Sequence, residues 1–348
     1  MKERGRPAGI ALLMTLLVVT LLTILVVEFT YSTQVDAELA RHFLSVTQAS
    51  YLARGGVALA ERTLELDAAE KIKSPPVRPP VETLLDLWAL PFPPRPLGEG
   101  IGSAGFTIDD ESARFNVNSL AGGPGINPVA LEARKVLFQG VLATLGMDVN
   151  LLFPLLDWLD PDGEVSGKNG AEQAYYEKLV PPYLPRNGGL LNLDELQLVK
   201  GFGDVTREQW AMLRAVVTAL PREELRINVN TASEALLTAL LVAVDNAAAA
   251  KAIVARRERQ PFLSVMELDE IPGWRQVPQQ VRSVFDVRSK YFTLHGIGIA
   301  ADVSRGVAVL ERRVGANLEM LEWRDEVGVA SLTSPAPSDG MTLPPVNR

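Results

Sequence analysis

Cysteine is absent from the 348 residues, and histidine occurs only twice, as His42 and His295. Without thiols there is no disulfide framework, no Cys-based zinc site and no thiol nucleophile. The lack of cysteine fits an oxidising compartment and a reducing one alike. Two distant histidines offer no zinc spacing, and neither a G-x-S-x-G elbow nor a P-loop occurs. Catalysis therefore has little support in the sequence: both histidines read as structural, and a carboxylate-only hydrolase at the acidic loop 157–172 would have no identifiable partner groups. A basic excess is missing too: 34 Lys and Arg against 42 Asp and Glu give a net charge of −8. A general nucleic-acid binder needs a basic face to displace counterions, so nucleic acid is not an expected partner. A hydrophobic content of 47% in 348 residues is enough for two or three compact units.

Proline is missing from residue 8 to residue 74, and that gap contains the most informative segment. Gly9 is followed by an uninterrupted apolar run, Ile10 to Val27. Its 18 residues make a helix about 27 Å long, enough to cross a hydrocarbon core. Lys2, Arg4 and Arg6 precede it against a single Glu3, a flank that stays on the cytoplasmic side and sends the rest outward. A cleaved signal peptide carries its small-residue site after the apolar core. Here the small residue, Gly9, stands before it, so cutting there leaves the hydrophobic helix as the new N-terminus, at Ile10. A plain signal anchor accommodates the same residues. Beyond Val27 an apolar stripe continues through Val35, Leu39, Phe43, Val46, Tyr51, Val57, Ala60 and Leu64, which predicts one long helix, apolar first and amphipathic second. Gly55 and Gly56 weaken it by about 1 kcal/mol each relative to alanine.

Prolines then crowd the chain at 75, 76, 79, 80, 91, 93, 94 and 96, which predicts an extended connector with one short turn near 84–90. Alternating segments at 105–109 and 113–118 predict a hairpin. Helical patterns follow at 127–145, 149–159, 193–200 and 207–220, and again at 233–244, 247–260, 264–271 and 278–285. The two blocks echo each other. Phe115-Asn116-Val117-Asn118-Ser119 opens the first and Ile227-Asn228-Val229-Asn230-Thr231 the second, and each closes on a related phrase, Leu193-Asp194-Glu195-Leu196 to Gly201 and Val265-Met266-Glu267-Leu268 to Gly273. Two related helical modules, each entered from a strand with Asn and Ser as helix caps, account for this. Strand patterns return at 290–301, 306–313 and 318–324, and a Ser/Pro/Ala/Gly-rich tail after Glu326 reads as disordered.

One cluster carries site chemistry: Asp157, Asp160, Asp162 and Glu164, followed by Glu172. Asp157 and Asp160 share a face at a helix end, and Pro161 and Gly163 turn the chain so that later carboxylates can converge. Clustered hard oxygens on a flexible loop favour calcium. With Asp160 at position one of an EF-hand, position twelve falls on Ala171 and Glu172 comes one residue late, so the loop is not an EF-hand. A solvated acidic turn explains the same residues.

Taken together, the glycine-ended leader, the paired N-V-N phrases, Asp157-Trp158-Leu159-Asp160, Gly170-Ala171-Glu172 and Tyr175-Tyr176 resemble the minor pseudopilin K family of type II secretion systems across nearly the whole chain. Most pilin-like proteins carry glutamate at the fifth mature residue. Here that residue is Met14, and the K subunits are the members known to lack the glutamate. The resemblance implies an α+β, pilin-like fold: a long N-terminal helix on a small antiparallel sheet, with an all-α insertion of two SAM-like or helix-hairpin-helix-like modules. It divides the chain into a leader (1–9), a transmembrane helix (10–27), its amphipathic continuation (28–73), a connector (74–104), sheet strands (105–118), modules at 119–225 and 226–288, closing strands (289–326) and a tail (327–348). It further implies cleavage after Gly9 by a prepilin peptidase, N-methylation of Ile10, and an inner-membrane location with a periplasmic head. Partners would be the I and J minor pseudopilins and other pseudopilus subunits. Calcium in the acidic region and a place at the pseudopilus tip complete the expectation. A type IV minor pilin is the next reading. Residues 227–232, Pro261-Phe262 and 266–273 also look like the helix-hairpin-helix repeats of DNA-uptake proteins, but Pro272 removes an amide donor and Glu267, Asp269 and Glu270 repel phosphate.

Overall fold

The computed structural model describes residues 8–73, 79–122 and 125–326. Most of the leader, Pro75 and Pro76 of the connector, and the tail from 327 lie outside them.

Helix α1 runs unbroken from Ala8 to Ile72. Its threonines do not interrupt the apolar part, because Thr20, Thr23 and Thr30 each donate their hydroxyl to the carbonyl four residues back, at 2.7–2.8 Å. Residues 10–44 are exposed throughout. From Ala49 onward one stripe becomes buried: Ala49, Leu52, Ala53, Val57, Ala60, Leu64 and Ala68, the three-to-four spacing of an amphipathic helix. Its last turn is fixed by a buried ionic knot. Lys71 lies 2.7 Å from Asp67, 2.7 Å from Glu82 and 2.9 Å from Asp86, and Arg313 pairs with Glu82 from across the fold.

After a 3₁₀ turn at Leu87–Ala89 that buries Trp88, strand β1 spans Phe92–Gly98 and β2 spans Gly102–Asp110. The connector is thus a correction: its proline-rich part is a paired strand, with Phe92 opposite Phe106 and Arg95 opposite Ala104. Prolines without N–H groups are tolerated because β1 bonds on one side only, and the register slips on either side of Arg95-Pro96.

The expected hairpin at 105–118 does not form. β2 ends at Asp110, and Phe115–Asn116 (β3) leaves the sheet for the first helical module. There follow α2 (Pro128–Thr144), α3 (Leu152–Leu159), the single turn α4 (Gln173–Tyr176), α5 (Arg207–Val216) and β4 (Val217–Thr218), which pairs in parallel with β3. The second module repeats the plan: β5 (Ile227–Asn228), α6 (Glu234–Val242), α7 (Ala247–Arg259), the single turn α8 (Gln279–Arg282) and β6 (Phe285–Asp286), parallel to β5. The segments expected as helices at 193–200 and 264–271 are 3₁₀ turns, Leu193–Leu198 and Val265–Glu270. Those expected at 207–220 and 278–285 end in the short strands β4 and β6.

The N-V-N phrases have a common job. In each, the first Asn accepts the N–H of the second, at 3.1 Å in Asn116 and 2.9 Å in Asn228. The second Asn clamps a distant backbone from both sides. Asn118 bonds the carbonyl and amide of Leu190, both at 2.8 Å, and Asn230 those of Phe262, both at 2.9 Å. Asn118 is therefore a clamp and not a helix cap; Asn127 and Ser233 cap α2 and α6.

The chain returns to the sheet as β7 (Tyr291–Ala300), β8 (Val303–Val314) and β9 (Asn317–Glu326), giving the antiparallel order β1-β2-β7-β8-β9. Both modules are thus inserted between neighbouring strands. Two adjacent carboxylates hold them there. Asp110 accepts from Thr231 of the second module and from Ser289 just beyond its end, each at 2.5 Å, while Glu111 accepts from Thr218 of the first at 2.6 Å and from Thr293 of β7 at 2.7 Å. Where α1 crosses the sheet, the backbones touch. A Cβ on Gly296 would collide with the Ala53 carbonyl, and one on Gly298 with that of Ala49.

A candidate metal centre in the acidic loop

The acidic residues begin on the last turn of α3, whose buried face, with Trp158 and Leu155, inserts into the core of the first module. That face also buries Asp157 completely. Its two carboxylate oxygens are turned to the loop backbone, one accepting from the Ser166 amide at 2.8 Å and the other from the Ala171 amide at 2.6 Å. Asp157 thereby folds the loop back on the helix end.

The fold-back brings Asp160, Asp162 and Glu172 together, with one oxygen from each within 4.8 Å of the others. Of the five carboxylates singled out in the sequence, the fold brings these three together and sets the other two apart. Asp157 is committed to amides, and Glu164 is exposed with only its backbone N–H engaged, donating to Asp162 at 2.9 Å. One neighbour escaped sequence reasoning. Asn187 donates its amide to the Asp162 carbonyl at 3.3 Å while its own side-chain oxygen is buried without a partner. A lone Asn fifteen residues beyond Glu172 gives no signal at the level of sequence.

The electrostatics are dominated by burial and like charge. Asp160 Oδ1 and both carboxylate oxygens of Glu172 are buried without a well-formed hydrogen bond, the backbone N–H groups of Asp162 and Gln173 giving only weak help to Asp160 and Glu172 respectively. Burial, then Asp162 and Asp157, pushes Asp160 up to about 6. Burial, then Asp157, Asp160 and Asp162, pushes Glu172 up to about 7. Two cations around the loop are engaged by other groups, although Lys135 still draws the Asp160 pKa down in part. Lys200 donates to the carbonyls of Asn169 and Gly170 at 3.2 and 3.3 Å, and Lys135 pairs with Glu132 at 2.8 Å.

A second acidic group, Asp67, Glu82 and Asp86, is equally compact but already contains Lys71 and Arg313, so it is an ionic knot and not a cation site. The orphaned oxygens make the difference: those of the loop fit a hard, oxygen-seeking cation such as calcium.

Gly9 and Ile10 lie in the first turns of α1, and the side chains of Ile10 and Met14 are exposed, as is every residue from 10 to 44. The helix-hairpin-helix-like turn is closed on its own module. Gly273 is left-handed (φ 83°), its carbonyl accepts from Asn246 at 2.8 Å, and Ile271 and Trp274 beside it are buried. Two of the basic residues nearby are used internally, while Arg275 of the turn is exposed. Arg257 donates to the Val229 and Ala232 carbonyls at 2.8 and 2.5 Å, and Arg256 pairs with Glu267 at 3.2 Å.

Comparison with known proteins bears on both parts of the molecule. Two family models, each described as type II secretion system (T2SS), protein K, match residues 113–222 and 227–288, the two helical modules. Among similar proteins, the type II secretion system protein K of Pseudomonas aeruginosa is 35% identical over 260 residues, 74% of this chain and 74% of that protein. That of Aeromonas hydrophila is 29% identical over 310 residues, 85% of this chain and 90% of that protein. The fold is similar, with a TM-score of 0.69 and 21% identity, to a chain in the crystal structure of the GspK-GspI-GspJ complex from the enterotoxigenic Escherichia coli type 2 secretion system, covering 83% of this chain and 99% of that one.

Proposed function

Since the chain belongs to the type II secretion system protein K family and serves as a minor pseudopilin of that system, we propose that it caps the pseudopilus tip. In this reading it assembles with the I and J minor pseudopilins, initiates assembly and supports export across the outer membrane. The observation that carries it is the combination of an exposed pilin-type helix with a bulky insertion. Residues 10–44 of α1 are free to pack among lipid and neighbouring helices, whereas residues 111–290 build a helical head beside the sheet. Such a head obstructs a further subunit above it. Met14 agrees. A glutamate at that position would need a partner in hydrocarbon, such as the N-terminal amine of an adjacent subunit, and a terminal subunit has no such amine to meet. Lys2, Arg4 and Arg6 favour an inner-membrane orientation with the head in the periplasm. Prepilin peptidase would remove residues 1–9.

Calcium belongs to the same reading. Asp160, Asp162 and Glu172 would hold it, with Asn187 offering a neutral oxygen and Asp157 keeping the loop closed. Bound there, the cation supplies positive charge and no chemistry. It ties the end of α3 to the start of α4. The test is co-expression of the full-length chain with I and J, purification in detergent, and mass measurement by light scattering. One copy of each subunit in a single complex is expected. Recovery of the chain alone, or as a binder of duplex DNA at moderate salt, would reject the tip assignment.

A further inference from the structure

Where α1 lies on the sheet, it is attached at two places. At one, Ala49 and Ala53 meet the glycines of β7, and at the other Lys71 and Arg313 join the ionic knot. Between them Glu311 of β8 is only 3% exposed, and one of its carboxylate oxygens is buried without any hydrogen-bond partner. Glu311 stands opposite Phe292 of β7, which packs with Ala60 and Leu64 of α1, so this face of the strand is turned to the helix. What the carboxyl meets there is another acid. Its side-chain hydrogen-bond contact is Glu61, and Glu65, one turn further on, adds a second negative charge.

The charged groups around this contact supply it with no cation. On α1, Arg62 pairs with Glu65 at 3.1 Å. On β8, Arg313 is engaged by Asp67 and Glu82 and lies over the Phe292 ring at 4.8 Å. Across from Glu311, β7 offers Phe292 and β9 offers Met320, both uncharged. Among the described residues no lysine, arginine or histidine stands within 4.0 Å of either carboxyl. Two carboxylates in contact at a water-poor interface cannot both ionise, whereas one proton between them turns the repulsion into a hydrogen bond.

We propose that Glu61 and Glu311 share one proton, which latches the middle of the docked part of α1 to β8 and frees it when the proton is lost. The titration belongs to the pair. Burial first, then the charge and hydrogen bond of Glu61 and the charge of Glu65, push Glu311 up to about 7 from an ordinary 4.5. A carboxyl raised in this way stabilises fully below about 4.5, and the gain is lost as pH rises through about 7. α1 is therefore held most firmly on the acid side of neutrality. On the alkaline side the segment around residues 57–65 loosens, while the glycine contacts and the ionic knot keep their hold.

The chain has no cysteine, so one introduced thiol reports on one place. Ala60→Cys, at a fully buried position beside Glu61, is labelled with a thiol reagent in the full-length protein in detergent and chelator. Ala249→Cys, equally buried in the second module, is the control for global opening. One unit above a pKa of about 7, loss of the proton multiplies the local opening constant about tenfold. After correction for the thiolate fraction, labelling at residue 60 should rise about tenfold between about pH 6 and 8 and stay flat at residue 249. Glu311→Gln, whose amide N–H stands in for the proton, should abolish the rise and keep the slow rate. Amide hydrogen exchange over residues 57–64 of the unsubstituted chain makes the same comparison without a thiol. A flat rate at residue 60, an equal rise at residue 249, or a rise that survives Glu311→Gln would overturn the latch. If calcium at about 1 mM suppresses the rise at residue 60 alone, the occupant is a metal ion and the shared proton is refuted.

Discussion

Glu172→Gln should act with opposite signs in the presence and absence of calcium. In the ion-free loop the Glu172 carboxylate is buried beside Asp160 and Asp162 and held up to about 7, against an ordinary value of 4.5. A carboxylate whose folded pKa is raised contributes stability at low pH that is lost as pH rises through the folded value. Each unit corresponds to about 1.4 kcal/mol, so the ceiling is about 3 kcal/mol, and partial solvation of the loop reduces the loss to about 1–2 kcal/mol. At about pH 8, in chelator, the glutamine variant should therefore be more stable than the native chain by about 1–2 kcal/mol. Calcium should reverse the order. At about 1 mM, a site with a dissociation constant on the order of 10 µM would stabilise the native protein by about 2.7 kcal/mol. A module of this size then melts about 5–10 °C higher. The variant, with one of three carboxylates gone, should lose most of that gain. Scanning calorimetry of the full-length protein in detergent, with calcium or chelator at about pH 6 and 8, measures all four states. An identical melting temperature with and without calcium at the higher pH, combined with a glutamine variant no more stable than the native chain in chelator, would refute the cation site and leave a solvated turn.

Three further outcomes are expected. Gly9→Val should leave the precursor unprocessed, and mass spectrometry of the native protein should find a methylated Ile10 at the N-terminus; a native chain still starting at Met1 would contradict this. Gly298→Val should weaken the docking of α1 on the sheet by on the order of 3 kcal/mol, because its Cβ meets a backbone carbonyl that cannot move aside, whereas Gly55→Ala, with open space around it, should be neutral or slightly stabilising; thermal unfolding compares the two. Burial draws the pKa of His295 down, but its hydrogen bond to Glu326 and the charge of Asp109 outweigh this and raise it. Its contribution is then full below about 6.5 and lost as pH rises through the raised value, so His295→Gln should flatten the fall in melting temperature between about pH 6 and 8.

What was legible in the sequence was whatever depends on neighbours along the chain. The apolar run Ile10–Val27, the absence of proline to residue 74 and the stripe from Val46 to Leu64 determine α1, because helix periodicity is a local property. The repeated N-V-N phrases and the recurrence of Gly201 at Gly273 marked two modules for the same reason, each glycine adopting φ 83°. The tertiary structure decided what depends on distant partners. Prolines 93, 94 and 96 read locally as a connector, yet pairing on one side only makes them an edge strand. The segment 113–118 alternates like a hairpin arm, but β3 finds its partner a hundred residues later at Val217, and no local pattern carries a parallel pairing of that length. The acidic loop divides the same way. Spacing alone brought five carboxylates under suspicion. Only the fold shows Asp157 spent on two amides, Glu164 exposed to solvent, and Asn187 arriving from beyond α4, because burial and hydrogen bonding commit a side chain only after the chain has closed on itself.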